Sequence, residues 1–201
     1  MDSKQLDTIL WRHLSSLPYF RAFLRSVEDR FYQDITLQEP VLDLGSGDGH
    51  FASVAFAHKL DVGLDPWVAP TMEARQRDTY EMLVLGEGAQ IPFRDSYFGS
   101  VTSTSVLEHI PDIQPVLNDV ARVLRPGGTF VFCVPNHRFP ENLWGRKFFK
   151  ALGLKKLGKA YARLFNWVSR HAHTDSPAEW QNRLDQAGLD LVDTWDYFPP
   201  K

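Results

Sequence analysis

Residues 41–50 read Val41-Leu42-Asp43-Leu44-Gly45-Ser46-Gly47-Asp48-Gly49-His50. The first four form a short apolar run after Pro40, which predicts a strand, and residues 51–58 have the pattern of a helix. In the loop between these two elements, every second residue from Gly45 to Gly49 is a glycine. Because glycine has no Cβ, the backbone there can turn tightly and approach a ligand closely. On its own, such a loop is also typical of a tight strand-to-helix connection that binds nothing.

A second predicted strand, residues 61–65, favours the ligand-binding interpretation. It ends at Asp65, twenty residues beyond Gly45. This spacing matches the offset of roughly 20 residues at which an acid meets a ribose diol in nucleotide-binding folds. Alone, an aspartate before Pro66 would indicate a turn or a helix cap. The loop and the acid together predict a nucleoside ligand.

The alternation of short strands and helices continues along the chain. Further strands are predicted at residues 82–85, 100–103 and 129–134, with helices at 71–77 and from 113 to a stop at Pro126-Gly127-Gly128. Short apolar strands separated by helices predict an α/β fold, a Rossmann-like and mostly parallel sheet with helices on both faces. Ligands of such sheets bind beyond the carboxyl ends of the strands.

The segments around this core complete one predicted domain of 201 residues. Residues 1–38 contain two amphipathic cap helices broken near Pro18, residues 39–135 form the cofactor-binding core, and residues 136–175 are a basic, aromatic insertion. Residues 176–201 predict a helix over 177–187, stopped by Gly188, and a strand over 189–197.

Five motifs, in order from about residue 40 to 135, resemble those of class I S-adenosylmethionine-dependent methyltransferases of the type-11 group. They are residues 41–49, Gly63-Leu64-Asp65, Gly86-Glu87-Gly88-Ala89-Gln90-Ile91-Pro92-Phe93, Ser105-Val106-Leu107-Glu108-His109-Ile110, and Arg122-Val123-Leu124-Arg125-Pro126-Gly127-Gly128. The resemblance implies S-adenosylmethionine as cofactor and methyl transfer as activity. It also implies a sheet that ends in an antiparallel hairpin, which a single strand over 189–197 would leave incomplete.

The resemblance also implies which residues bind the cofactor. Asp43 would lie near its amino acid end, with Gly45 and Gly47 beneath it, Asp65 would bind its ribose, and Glu87 and Gly88 would contact its adenine. The full set of implied cofactor-binding residues is Asp43, Gly45, Ser46, Gly47, Asp65, Pro66, Glu87, Gly88 and Ser105. Two residues depart from the family's pattern, which usually has aspartate at the positions of Glu87 and Gly99. The longer side chain of Glu87 puts the adenine contact in doubt.

Other nucleotide-binding families fit the sequence less well. A nicotinamide-dependent dehydrogenase would have glycine or alanine where His50 stands, and a phosphate-binding NTPase loop would end in Gly-Lys-Ser/Thr. The alternative to an active enzyme is an inactive, cofactor-binding relative that acts as a partner-binding or membrane-binding module.

Methyl transfer from a sulfonium is a direct displacement, so the protein mainly aligns the acceptor and excludes water. A hydroxyl or acidic carbon acceptor would need a base, and histidine titrates near neutral pH. The candidates are His109, His137, His171 and His173, of which His137 and His173 are the predicted catalytic residues. No metal is predicted, because Cys133 is the only cysteine and residues 171–173 have no obvious carboxylate partner.

The basic insertion is expected to be a separate functional element. Between residues 138 and 173, nine Lys and Arg face one Glu, although the whole chain has a net charge of -3. Interleaved aromatic residues suit a helical lid over a small-molecule acceptor, or peripheral contact with a membrane. Nucleic-acid binding is not expected, an oligomer is compatible with the incomplete sheet edge, and the absence of a long apolar run predicts a soluble, cytoplasmic protein.

Overall fold

The computed structural model describes residues 3–139 and 143–197. Within these residues the helices are α1 (Ser3–Leu14), α2 (Tyr19–Tyr32), α3 (His50–Ala55), α4 (Val68–Arg77), α5 (Gln114–Val123), α6 (Trp144–Ala151), α7 (Lys155–Val168) and α8 (Pro177–Ala187). The strands are β1 (Val41–Leu44), β2 (Leu60–Asp65), β3 (Tyr80–Leu85), β4 (Phe98–Thr104) and β5 (Leu124–Cys133), and a 3-10 turn, Leu107–His109, follows β4.

The five strands form one parallel sheet in the spatial order β3-β2-β1-β4-β5. The chain runs outward from β1 to β3 and then crosses to β4 on the other side of β1. At such a reversal a crevice opens beyond the carboxyl ends of the two central strands. Those strands are β1 and β4, and Asp43 pairs in register with Thr102. The predicted Rossmann-like fold is therefore confirmed.

Apolar side chains cover both faces of the sheet. On one face, Leu117 of α5 and Trp180 of α8 pack in a cluster with Leu42 and Phe98 of the strands. On the other face, a smaller cluster joins Ala74 of α4 to β1, β2 and β3. Each fully buried leucine or phenylalanine contributes about 1.5–3 kcal/mol relative to an exposed position. This two-sided burial fixes the strand ends that form the crevice.

The boundary between α5 and β5 differs from the prediction. The helix ends at Val123, and the backbone of Leu124 is already extended, so the expected stop at residues 126–128 is wrong. Instead these residues lie within β5, where the register with β4 shifts between Phe98 and Ser100. Gly127 has a φ of 77°, which fits an irregularity in the strand rather than a helix end.

The C-terminal region confirms one prediction and corrects another. Helix α8 begins with a capping box formed by Ser176 and Glu179 and ends at Gly188, as predicted. The strand predicted over residues 189–197 is wrong, because the described residues there form no strand. Aspartates recur at every third position, 190, 193 and 196, which breaks the alternation that a half-buried strand needs. Among the described residues the sheet therefore ends at β5.

The flanking helices follow the sequence pattern. Helices α1 and α2 are separated at Pro18, which lies at the N-cap of α2. The insertion folds as α6 and α7, confirming the expected helices, and its end is attached to the 3-10 turn, where Ala172 and His173 donate backbone hydrogen bonds to the carbonyl of Glu108. No helix in the described ranges is long and apolar enough to cross a bilayer.

Candidate functional site

The glycine loop lies at the carboxyl end of β1 and is closed by backbone hydrogen bonds. The N–H groups of Gly45 and Ser46 both donate to the carbonyl of Leu64, at 2.8 and 3.1 Å. Gly45 has a φ of 79°, and a Cβ added there would lie 2.5 Å from both Cγ atoms of Val106. Only glycine fits this position, which brings the loop against the segment that follows β4.

Two features of the loop fit a ligand above it. A Cβ added to Gly47 would meet only the carbonyl oxygen of Gly45, at 4.0 Å, so the backbone there is open to an approaching group. The hydroxyl of Ser46 is buried and has no hydrogen-bond partner among the described residues. Leaving a buried hydroxyl unsatisfied costs about 1–3 kcal/mol, which a ligand that bonds to it would recover.

Asp65 lies directly behind this loop. Its carboxylate accepts hydrogen bonds from the N–H groups of Gly47 and Trp67, both at 2.9 Å. Each carboxylate oxygen keeps a further lone pair, so these bonds orient the group without exhausting its capacity to accept. The structure thus brings Asp65 and the loop together, as the spacing of twenty residues predicts. Its contact with a ribose stays a prediction.

Asp43 is buried on β1, and its predicted contact with the amino acid end of the cofactor stays a prediction. Its carboxylate accepts hydrogen bonds from the hydroxyls of Tyr80, at 2.6 Å, and Thr102, at 3.2 Å. Burial raises the pKa of Asp43, and these two hydrogen bonds oppose that rise. The same burial, together with the charge of Asp43, raises the pKa of Tyr80. Asp43 therefore links β1 to Tyr80 of β3 and Thr102 of β4.

The other predicted cofactor residues surround the loop at different depths. Glu87 and Pro66 are exposed, and a Cβ added to Gly88 would lie 3.1–3.2 Å from the side chains of Val116 and Leu44. Ser105 adopts a φ of 55° directly after β4, and its hydroxyl donates to Glu28 at 3.0 Å. The side chain of Ser105 thus contacts α2.

A cavity of about 1390 Å³ extends from Ser105 along β5. Helix α2, the 3-10 turn, the end of the insertion and residues 188–197 form its other walls. Its aromatic lining residues are Phe20, Phe31, Tyr32, Phe130, Phe132, Phe139, Phe165, Trp180, Trp195 and Tyr197. Such a space, mostly apolar with a few polar groups, is the usual form of a small-molecule site.

The polar groups in this cavity centre on Glu28, which the sequence analysis missed. One oxygen of Glu28 accepts from the guanidinium of Arg25 at 2.7 Å, and the other accepts from Ser105 and from the hydroxyl of Tyr197, at 3.0 and 3.2 Å. The thiol of Cys133 lies 3.6 Å from the same oxygen, and burial raises its pKa. The sequence did contain an indication of this polar group, since Arg25 and Glu28 are charged residues that interrupt the apolar face of α2 at helical spacing.

The four candidate histidines separate into two pairs. His109 and His171 line the cavity, whereas His137 is exposed and, like His173, lies outside its lining. His173 donates from Nε2 to the carbonyl of Ile110 at 2.9 Å, and its Nδ1 lies 3.4 Å from the guanidinium of Arg183. Both ring nitrogens of His173 are engaged in holding the chain, so the geometry favours the first pair for chemistry.

Comparison with known sequences identifies the core. The family described as "Methyltransferase domain" matches residues 42–132, which include the glycine loop, Asp65 and the turn after β4. The match covers 91 of the 201 residues, so just under half of the chain is similar to this family.

Relatives of this methyltransferase core cover more of the chain. A demethylmenaquinone methyltransferase of Mycobacterium sp. (strain JLS) is 32% identical over 136 residues, which are 62% of this chain and 58% of the relative. A second one, of Bacillus cereus (strain AH187), is 31% identical over 60% of this chain and 53% of its own length. The chain thus matches little more than half the length of these relatives.

Solved structures share the fold of the methyltransferase core. An S-adenosylmethionine-dependent methyltransferase of Thermotoga maritima gives a TM-score of 0.62 at 19% identity, covering 92% of this chain and 76% of its own. The geranyl diphosphate C-methyltransferase of Streptomyces coelicolor A3(2), solved with S-adenosyl-L-homocysteine, gives 0.60 at 15% identity, covering 83% and 59%. At this identity the likeness establishes the fold.

Proposed function

We propose that the protein transfers a methyl group from S-adenosylmethionine to a small, partly apolar acceptor. The observation that carries the proposal is the open glycine loop with the unpaired hydroxyl of Ser46, next to a large cavity at the same edge of the sheet. The cofactor would lie on the loop, and the acceptor would enter the cavity from the side of β5. When bound, the cofactor supplies the methyl group and its sulfonium charge.

The chain itself would contribute alignment and exclusion of water. Asp65 and the backbone at Gly47 would hold the nucleoside, while Ser46 would bond to the cofactor's polar groups. Ser105 and Glu28 would form the floor between the cofactor and the cavity. Direct displacement needs the reacting atoms about 3–3.5 Å apart, so the main contribution of the chain would be to position the acceptor against the cofactor.

The lining of the cavity supports an aromatic or otherwise flat acceptor. Ten of its lining residues are aromatic, and Arg21, Arg25 and Arg138 lie in a lining that also contains carboxylates, so both kinds of charge are available to a polar group. The relatives named demethylmenaquinone methyltransferases support the same class, since that name denotes a quinone acceptor. An acceptor of this chemistry would bury its ring and keep a polar substituent near Arg25.

The surface of the insertion supports a contact with membranes, as a second part of the function. Its exposed apolar residues are Phe148, Leu152, Leu154, Leu157, Leu164, Trp167 and Val168, and the same helices carry Lys and Arg. Trp167 is 77% exposed. A helix with apolar and cationic faces binds at the interface of an anionic bilayer. There it could take up an acceptor that is dissolved in lipid.

Substitution of Asp65 tests the cofactor site. Asp65→Ala is expected to weaken binding of S-adenosylmethionine by roughly 1.5–3 kcal/mol, the range for hydrogen bonds to a charged group. Calorimetry with the cofactor measures the effect, and Asp112→Ala, at an exposed acid on the turn after β4, is the matched control. If the Asp65 variant is folded by circular dichroism and binds with parental affinity, Asp65 does not hold the ribose.

Vesicle binding tests the membrane contact. Trp167→Ser is expected to reduce co-sedimentation with vesicles rich in anionic phospholipid several-fold, because it removes the most exposed aromatic residue of the insertion. Val192→Ser is the control, since Val192 is 93% exposed but lies outside the insertion. If both variants lose vesicle binding equally, or if the protein binds neutral and anionic vesicles equally well, the insertion does not make the proposed contact with anionic membranes.

A further inference from the structure

The cavity contains a cluster of metal-binding side chains at the end of β4. Glu108 and His109 lie on the 3-10 turn, and His171 lies at the end of the insertion. One potential ligand atom from each of the three lies within 4.8 Å of the others. The two segments are held together by the backbone hydrogen bonds from residues 172 and 173 to the carbonyl of Glu108, at 2.7 and 3.2 Å.

The hydrogen bonding of His109 prepares one of its nitrogens as a ligand. Its Nδ1 donates to the carbonyl of Arg170 at 3.1 Å, which leaves the lone pair on Nε2. That Nε2 lies 3.8 Å from Oε1 of Glu108. Histidine ligands of metals almost always donate their second ring N–H to a carbonyl or carboxylate in this way, which fixes the ring.

The other two side chains carry buried polar atoms that lack a partner. Oε2 of Glu108 and Nδ1 of His171 have no hydrogen-bond partner among the described residues. Glu108 is only 2% exposed. Each unsatisfied atom costs about 1–3 kcal/mol, more if charged, so a group that binds both would relieve a considerable penalty.

The two imidazole rings of the cluster are close neighbours. The rings of His109 and His171 lie 5.5 Å apart between centroids.

We propose that Glu108, His109 and His171 bind a divalent transition metal ion, with zinc the best match. Two imidazole nitrogens and one carboxylate form a donor set found in catalytic zinc sites, which keep an open position. Ligand bonds of about 2.0–2.2 Å in a tetrahedron put donor atoms about 3.4 Å apart. The distances between the donor atoms of this cluster, at most 4.8 Å, would therefore need to shorten by up to about 1.4 Å. The sequence around His171 shows no obvious carboxylate partner. In the folded chain, Glu108 lies close enough to be that partner.

The position of the cluster connects it to the acceptor. All three residues line the cavity, and Val106, two residues before Glu108, contacts the glycine loop at Gly45. A metal held by these residues would therefore lie on the wall of the cavity, near the glycine loop. There it would bind and orient an oxygen of the acceptor, which narrows the acceptor class to compounds with a hydroxyl or carbonyl group. This last step rests on the proposed function, whereas metal binding does not.

Metal titration of the full chain tests the site. After treatment with a chelator and dialysis, the protein is titrated with Zn²⁺ by calorimetry and with Co²⁺ by visible absorption, since Co²⁺ bands report coordination geometry. We expect one equivalent to bind at micromolar metal or tighter. Glu108→Gln and His171→Asn should each weaken binding about tenfold to a hundredfold. His137→Gln is the matched control, because His137 is an exposed histidine outside the cluster.

Two outcomes would overturn the proposal. The parent protein could bind no stoichiometric metal, or the variants could bind as the parent does, in which case any metal lies elsewhere. His109→Asn provides a second variant at an exposed position, in case His171→Asn fails to fold, and circular dichroism checks each one. The affinity for S-adenosylmethionine is measured in parallel on metal-free protein. If Glu108→Gln loses metal binding but keeps its affinity for S-adenosylmethionine, the metal site and the proposed cofactor site are distinguished from each other.

Discussion

Gly45→Ala is a direct test of how the glycine loop is held. The new methyl group would occupy a residue with a φ of 79°, which costs an L-residue about 1–2 kcal/mol. It would also lie 2.5 Å from both Cγ atoms of Val106, an overlap of the kind that costs about 1–3 kcal/mol in a packed site. We expect the free energy of unfolding to fall by about 2–5 kcal/mol, measured by urea denaturation.

Two further variants separate the contributions. Gly47→Ala places a methyl group at a φ of 53° with nothing nearer than 4.0 Å, so it should lose only the conformational part, about 1–2 kcal/mol. Combining Gly45→Ala with Val106→Ala should recover about 1–3 kcal/mol relative to the sum of the two single variants. Equal losses for Gly45→Ala and Gly47→Ala, together with additive behaviour of the pair, would show that Val106 does not support the loop.

Two more predictions concern the insertion and the buried histidine of α3. Replacing residues 141–170 with a short Gly/Ser linker should leave calorimetric binding of S-adenosylmethionine largely intact but abolish methyl transfer; parental turnover would mean that the insertion is not the acceptor lid. Burial, followed by the nearby His13, lowers the pKa of His50 to about 4. Its contribution to stability is therefore complete above about pH 6.5 and is lost as the pH falls towards 4, by about 1–2 kcal/mol between pH 7 and 5. Denaturation at both pH values should show a smaller decrease for His50→Gln, and identical profiles would contradict the assignment.

Local patterns in the sequence predict the geometry of the glycine loop and its neighbours well. The loop at Gly45, the acid at Asp65 and strand β1 depend on short-range spacing and on backbone conformations that only glycine adopts readily. Their arrangement follows once the sheet is parallel, because the ends of β1 and β2 then meet at one edge. Motifs of this kind can be predicted without knowing which distant residues they contact in the folded chain.

The acceptor side of the site could not be predicted in the same way. Glu28 and Tyr197 meet across 169 positions of the chain, and no local pattern indicates that contact. The strand expected over residues 189–197 failed for a related reason, since a strand depends on a neighbouring strand and not only on its own composition. Glu108 and His171 likewise become neighbours only because the insertion returns to the turn after β4.

The contacts of Glu28 also bear on how the molecule fluctuates. The carboxylate of Glu28, on α2, accepts hydrogen bonds from Arg25 of the same helix, from Ser105 after β4 and from Tyr197 near the C-terminal end of the described chain. These three segments should therefore open as one cooperative unit rather than fray independently. In amide hydrogen exchange, Glu28→Gln would then raise the exchange rates of all three together, and a ligand beside Ser105 would slow exchange in the distant C-terminal segment as well.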